Sequence, residues 1–346
     1  MTAHATLEIW PFAGRSEMCS NMLLGRRTVL TGLLALGLGF VAEPGNAGTS
    51  PVRSVHRDER GTTLFLELEA TPFPHGGAPY QDRTVIVFVP RSFRVERGGQ
   101  APMVVHFHGH RTTAERALAS HQLREQLSDS LQNAVLVVPQ GPLEAADSSA
   151  GKLETPGGLA RLLNDVTRVL SSAEGRAALG DRSLGGRLRP GVVCLSAHSG
   201  GYHAAAVAAR VGGIDVNEIY LFDALYGDLE AFRDWVSERR GRPMKSRHKL
   251  VSYYGAGATE TNSRWLKAEL ERRGVQCAFE NVEGTLSREE LVRAEAIFVR
   301  TSLSHNGVTH ELNALRDCLY ASGLPRHQRT AWFDAKAGAR PLERRR

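Results

Sequence analysis

The stretch "GVVCLSAHSGGYHAAAV" (191–207) decides how this chain is read. Val192 to Leu195 form a continuous apolar run of the kind that a buried strand needs. From Tyr202 onward the alanine-rich composition favours a helix. Between them lie Ala197, His198, Ser199, Gly200 and Gly201. A strand that turns at once into a helix crowds its own backbone, so the residues around the apex must be small. Ser199 stands at that apex. Its hydroxyl is inert without a base to take its proton, an acid to orient the base and donors to receive negative charge. The rest of the chain is read for those groups.

With 346 residues and 42% hydrophobic content the chain can bury one large core. Charged residues make up 23%, near the globular average, which argues against disorder. The formal charge of +6 is spread thinly, and the visible basic clusters are "SERRGRPMKSRHK" (237–249) and the "RPLERRR" tail (340–346). Neither cluster is interleaved with aromatics, so they read as solvated surface and no nucleic-acid partner is expected.

The N-terminus carries its own signal. Arg26 and Arg27 precede an apolar run from Val29 to Ala42, and Gly45 and Ala47 sit at the −3 and −1 positions of a cleavage site. The run is short for a bilayer span. Paired arginines before a glycine-containing apolar run resemble a twin-arginine export signal, with an ordinary secretory signal as the alternative. The expected destination is periplasmic or secreted, with export machinery as the partner. An uncleaved signal would leave the protein membrane-anchored, and cleavage leaves no stable span. Met18 and Met22 are alternative starts. Cys19 lies upstream of that cleavage site, leaving Cys194, Cys277 and Cys318; the sequence leaves open whether Cys277 and Cys318 pair.

Downstream, strand-like runs alternate with helical patterns. The strands are "TTLFLELEA" (62–70), "RTVIVFVP" (83–90), "APMVVHFHGH" (101–110), "NAVLVVPQG" (133–141), "EIYLFDALYG" (218–227), "HKLVSYYGAG" (248–257), "CAFENVEG" (277–284) and "AEAIFVRTS" (294–302). The helices are "TTAERALASHQLREQLSDS" (112–130), "LARLLNDVTRVLSSAEG" (159–175), "YHAAAVAARVG" (202–212), "LEAFRDWVSERR" (229–240), "SRWLKAELERRG" (263–274) and "ELNALRDCLYASG" (311–323). Nearly continuous apolar strands alternating with amphipathic helices predict an α/β fold. Its central sheet is mostly parallel, of about eight strands, with helices on both faces. The first two strands form an antiparallel pair at a sheet edge. Three segments follow: a signal and extension (1–47), one α/β domain (48–335) and a basic tail (336–346).

Ligands of such a sheet bind at the carboxyl ends of the strands. "SAHSGG" (196–201) resembles the nucleophile elbow of the α/β-hydrolase superfamily, with Ala197 where glycine is more usual, and the resemblance covers the mature region in strand–helix order. It implies a serine hydrolase, an esterase before a peptidase or amidase, working through an acyl-enzyme on Ser199 with no metal or organic cofactor. It implies oxyanion donors at Gly200 and at Gly109 or His110, within "HFHGH" (106–110). An acid in the order Ser, Asp, His falls on Asp223, at the end of "YLFD" (220–223), with Glu260 as alternative. The base comes from the loop after the last strand, "LSHNGVTHEL" (303–312), as His305, the nearer to the strand end, with His310 as alternative. His108, His198, Ser148 and Lys152 are candidates for contacting substrate. The segment after Asp223 has room for one helix, so no large lid is expected and the acyl substrate is a small molecule or a polymer.

Two other readings stay open. His106 and His108 alternate on one strand face and, with His110, make a zinc-ligand set for a metallohydrolase. "RTTAE" (111–115) follows them, where that pattern carries an aspartate. The third reading is a non-catalytic binding protein that keeps the scaffold.

Overall fold

The computed structural model describes residues 50–327 apart from 181–183, 185, 282 and 283. The expected export signal, the alternative start methionines and the basic tail lie outside the described residues.

A ten-stranded sheet organises the described chain. In chain order its strands are β1 (Val52–Arg57), β2 (Gly61–Glu67), β3 (Thr84–Pro90), β4 (Gln100–Phe107), β5 (Val135–Pro139), β6 (Arg189–His198), β7 (Glu218–Phe222), β8 (Lys249–Tyr254), β9 (Cys277–Glu280) and β10 (Ala296–Arg300). In space the order is β1-β2-β3-β5-β4-β6-β7-β8-β10-β9. The first four pair antiparallel in succession. From β5 onward every neighbour is parallel. This is the mostly parallel, helix-covered α/β architecture that the apolar runs predict. The eight runs named above and the strand before Ser199 make nine of the ten, and the tenth is the edge strand β1, which escapes a hydrophobicity reading. Val52 and Val55 are its only apolar residues, and its side chains are half-buried or exposed.

Nine helices are described: α1 (Ala114–Ser120), α2 (Leu123–Asp129), α3 (Gly158–Ser171), α4 (Ala173–Ala178), α5 (Tyr202–Val211), α6 (Leu229–Glu238), α7 (Ala258–Arg272), α8 (Arg288–Arg293) and α9 (Ala314–Tyr320). No helix among the described residues is long and apolar enough to cross a membrane. Alternation along each strand divides the core between the sheet's two faces. Val193, Leu195 and Ala197 of β6 pack with α3, α5, α6 and α7, while Cys194 packs with α1, α2 and α9. In α3, Leu159, Leu162, Leu163, Val166, Val169 and Leu170 recur at helical spacing and are buried. Each such side chain contributes about 1.5–3 kcal/mol.

The predicted helix over 112–130 is broken. α1 ends at Ser120 and α2 starts at Leu123, with Gln122 in the left-handed region at φ 49°. The break lets His121 turn into the sheet, where its Nδ1 lies 3.3 Å from His106 Nε2. The helix predicted over 159–175 also divides, at Ser172, whose hydroxyl caps α4 by accepting from the Gly175 amide.

The sheet register sets up the site. Phe107 pairs with Ala197, His198 with Phe222, Phe222 with Tyr253 and Arg300 with Tyr254. Five parallel strands, β4, β6, β7, β8 and β10, therefore end nearly level, and the residues that follow them emerge at one edge.

Candidate active site

Ser199 leaves β6 and opens a single 3-10 turn, Ser199–Gly201, which runs into α5. Its φ is 51°, a left-handed conformation that a residue bearing a side chain holds at roughly 1–3 kcal/mol. The neighbourhood explains the glycines. A Cβ on Gly109 would stand 2.8 Å from Ser199 Cβ, and one on Gly200 would overlap the His110 ring. Gly109, His110 and Gly200 thus lie packed against the apex of the turn.

His305 lies in the loop after β10, its side chain 40% exposed. Its Nε2 is 2.9 Å from Ser199 Oγ and its Nδ1 2.6 Å from Asp223 Oδ2. Asp223 follows β7 directly, is buried, and also takes the left-handed region, at φ 43°. Its Oδ1 accepts from the Thr259 hydroxyl and from the Gly255 amide, the latter at 3.2 Å. Burial by itself raises an aspartate's pKa. Here the donors His305, Thr259 and Gly255 outweigh it and hold the carboxyl below its ordinary range. An ionised carboxylate only accepts, so His305 carries its hydrogen on Nδ1. Nε2 is left free to accept from the Ser199 hydroxyl.

The alternatives fall elsewhere. Glu260 pairs on the surface with Arg264 at 2.8 Å and Arg300 at 3.5 Å. His310 stacks on His121 with ring centroids 6.3 Å apart, and its buried Nδ1 meets no partner. The three-histidine zinc set is corrected by the geometry. His106 Nδ1 is bonded to Ser196 Oγ at 2.9 Å, and His110 Nε2 to Ser148 Oγ at 2.8 Å. His108 Nδ1 faces the Gly109 carbonyl at 2.8 Å, and its Nε2 accepts from the Gly141 amide at 2.8 Å. β4 ends at Phe107, so strand alternation no longer aligns His108 with His106, and the imidazoles do not converge. Among the described residues no group of three His, Cys, Asp or Glu is arranged to hold a metal.

Of the residues expected to touch substrate, Ser148 reaches the site through its bond to His110. Lys152 does not: its Nζ donates to the Glu69 carbonyl at 2.8 Å. His108 and His198 are buried, with ring nitrogens bonded within the protein. His108 lines a cavity of about 30 Å³ beneath Gly200 and Gly201, together with Phe107, Leu153 and Ala204. A larger cavity, of about 650 Å³, is lined by Arg57, Arg91, Phe93 and Leu179 and shares no residue with the site. Among the described residues Cys194, Cys277 and Cys318 form no disulfide.

Sequence reasoning missed three participants. Thr259 supports the acid from the first turn of α7. Tyr226, 44% exposed, presents its ring edge-on to His305 at 6.4 Å between centroids, with Tyr202 at 6.4 Å from it. His121 packs against His198 at 4.6 Å. For Thr259 the signal was available, as a hydroxyl residue just past a strand end beside the acid. For the other two, only long-range packing makes the contact.

No protein-family model matches the chain, and no curated protein does either. Among solved structures the chain is similar to a ferulic acid esterase at 13% identity, covering 75% of this chain and 95% of that one with a TM-score of 0.46. It is similar to an S-formylglutathione hydrolase from Agrobacterium tumefaciens at 12% identity, covering 79% and 99%, TM-score 0.42. An acetyl xylan esterase from Aspergillus awamori gives 12% identity, coverage of 71% and 94%, and a TM-score of 0.43. The chain's own topology, a mostly parallel sheet covered by helices with Ser199 at a strand–turn–helix apex, is the fold that the resemblance to the α/β-hydrolase superfamily implied.

Proposed function

We propose that this protein is an exported serine hydrolase that cleaves esters through an acyl-enzyme on Ser199. The observation that carries the reading is the hydrogen-bonded line from Ser199 Oγ to His305 at 2.9 Å and on to Asp223 at 2.6 Å. In the first step His305 Nε2 takes the Ser199 proton while Oγ attacks the carbonyl carbon, and Asp223 stabilises the imidazolium. The amides of Gly200 and of Gly109 or His110 receive the negative charge on the tetrahedral oxygen. One such donor contributes about 3 kcal/mol. The imidazolium then protonates the departing alkoxide. Water, deprotonated by the same nitrogen, attacks the acyl-enzyme and releases the acid, restoring Ser199.

Ester is preferred to amide because an alkoxide asks less of the protonating acid than an amine. One helix, α6, fills the segment between β7 and β8, and His305 is partly exposed, which suits a small ester or an acylated polymer equally. Export rests on Arg26, Arg27 and the apolar run after them, with the mature chain starting at Gly48.

A fluorophosphonate probe with 4-nitrophenyl acetate turnover tests the chemistry. Labelling and turnover are both expected, and both vanish in Ser199→Ala. An unlabelled, inactive wild type removes the reading. N-terminal sequencing of the secreted protein tests export, and a first residue other than Gly48 moves the boundary.

A further inference from the structure

His198 precedes the apex serine, yet its side chain turns away from the open face and is only 6% exposed. Its Nε2 lies 2.7 Å from the main-chain carbonyl of His305. A carbonyl only accepts, so this nitrogen carries the hydrogen and the ring is the Nε2–H tautomer. Burial pushes the ring's pKa down to about 4, keeping it neutral at ordinary pH. The two rings lie 4.8 Å apart between centroids.

The contact holds the middle of the His305 loop, whose ends are fixed elsewhere: the Thr301 amide donates to the Tyr254 carbonyl at 3.0 Å and Gln126 Nε2 to the Thr309 carbonyl at 2.9 Å. The bonds inside the His305 loop are internal to it: the Gly307 and Val308 amides donate to the Ser304 carbonyl at 3.0 and 3.1 Å. They shape the turn but do not set its place over β6. His198 ties its centre to β6, as the last residue of that strand with Ser199 covalently next to it. Its other nitrogen, Nδ1, faces the oxyanion loop, where a Cβ on Gly109 would stand 3.1 Å away. Behind it, His121 closes edge-on at 4.6 Å. His121 is held in turn by His106 at 3.3 Å, and His106 by Ser196 at 2.9 Å, two residues before His198 on the same strand. The ring is therefore clamped between a fixed wall and the loop it holds.

We propose that His198 is the positioning residue of this site. Its Nε2–H registers the main chain of His305 against β6, so that the imidazole meets Ser199 and Asp223 together. The inference rests on Ser199 and His305 being nucleophile and base. It differs from a substrate contact, since the bond is made to the base's own backbone on the buried side. Displacement of a reacting group by about 1 Å is enough to lower a rate about 10²-fold, with little change in ground-state binding.

The experiment compares wild type with His198→Phe, which keeps a flat ring without a donor, and His198→Gln, which keeps an N–H in reach. Turnover of 4-nitrophenyl acetate and the rate of fluorophosphonate labelling are both read, with the thermal midpoint as a control for folding. The expected result is a kcat and labelling rate about 10²-fold lower in His198→Phe. KM stays within about twofold, and His198→Gln recovers most of the loss. A folded His198→Phe with wild-type kcat overturns the proposal, as does a change confined to KM or a His198→Gln no better than His198→Phe. On the unmodified protein, nitrogen-15 NMR of the histidines should show His198 as neutral Nε2–H with a proton protected from exchange. The Nδ1–H tautomer overturns the proposal even where the variants do not fold. If wild type neither labels nor turns over, the hydrolase reading falls and takes this one with it. If wild type and His198→Phe label equally well, this one falls alone.

Discussion

Glu218 opens β7 and Asp223 follows its other end, and both carboxylates are buried. Glu218 is closed in. It accepts from the Tyr220 hydroxyl at 2.9 Å and the Gly323 amide at 2.6 Å, with Lys249 Nζ at 4.0 Å. Lys249 donates to the carbonyls of Leu291 and Ala321 at 2.6 and 3.0 Å. Every partner is internal, and the cluster ties the turn after α9 to the sheet. Asp223 has the same kind of burial and a different supply of partners. Two of its bonds come from fixed groups, Thr259 and Gly255, and the third from an imidazole that is partly exposed and bonded onward to a serine. Burial makes a carboxylate demand partners in either place. It serves chemistry only where one partner passes the interaction to a reacting atom at an open strand end.

The sharpest way to break this contrast is to remove the charge at each end. Asp223→Asn should lower kcat/KM for 4-nitrophenyl acetate by about 10⁴-fold while folding survives, because an amide favours the wrong tautomer of His305. An activity within tenfold of wild type would remove Asp223 from the site. Glu218→Ala should do the opposite, losing about 3–5 kcal/mol in denaturant unfolding while each folded molecule keeps its kcat. Loss of kcat without loss of stability would put Glu218 in the chemistry and erase the difference.

Acid titration sharpens the comparison next, because the buried imidazoles sit at the Asp223 end. Burial holds His106, His121 and His198 below the ordinary histidine range. Below about pH 6.5 the unfolded chain then binds more protons than the folded one. Stability therefore falls on acidification, by about 1.4 kcal/mol per pH unit for each such histidine. Asp223, whose folded pKa is depressed, adds a loss in the same direction at lower pH, below the ordinary aspartate value. The urea midpoint should drop between pH 7 and pH 5, and less steeply in His121→Phe. A midpoint that does not move over that interval sinks the account. The smallest effect expected is that of Thr259→Val, which takes one donor from Asp223 and should lower kcat about tenfold. Equal activity would mean that His305 and Gly255 suffice to hold the carboxylate.

Most of the strand–helix order was legible in residue patterns. Runs such as "VLVVP" (135–139) leave room for nothing but a strand covered on both faces. The faults came where local pattern and tertiary demand disagree. β1 is too polar to announce itself and is made a strand by pairing with β2. The 112–130 segment keeps helical spacing throughout, yet opens at His121 because a buried imidazole is drawn to His106. At the site, Ser199, Asp223 and His305 could be proposed because each follows a strand at the same edge of the sheet. The zinc alternative came from the same logic carried one residue too far, past the point where β4 stops alternating.

Sequence alone therefore settled what local chemistry settles: the apolar strands, the small residues at the turn, and a serine, an acid and late histidines at strand ends. It favoured His305, nearer the strand end, and kept His310, five residues on in the same loop, as the alternative. Only the folded chain decides between them. One imidazole bridges Ser199 and Asp223 with its backbone held by His198, and the other packs behind on His121. The physical reason is that a hydrogen bond depends on distance and direction. Those are set by sheet register and long-range packing, which spacing along the chain does not encode.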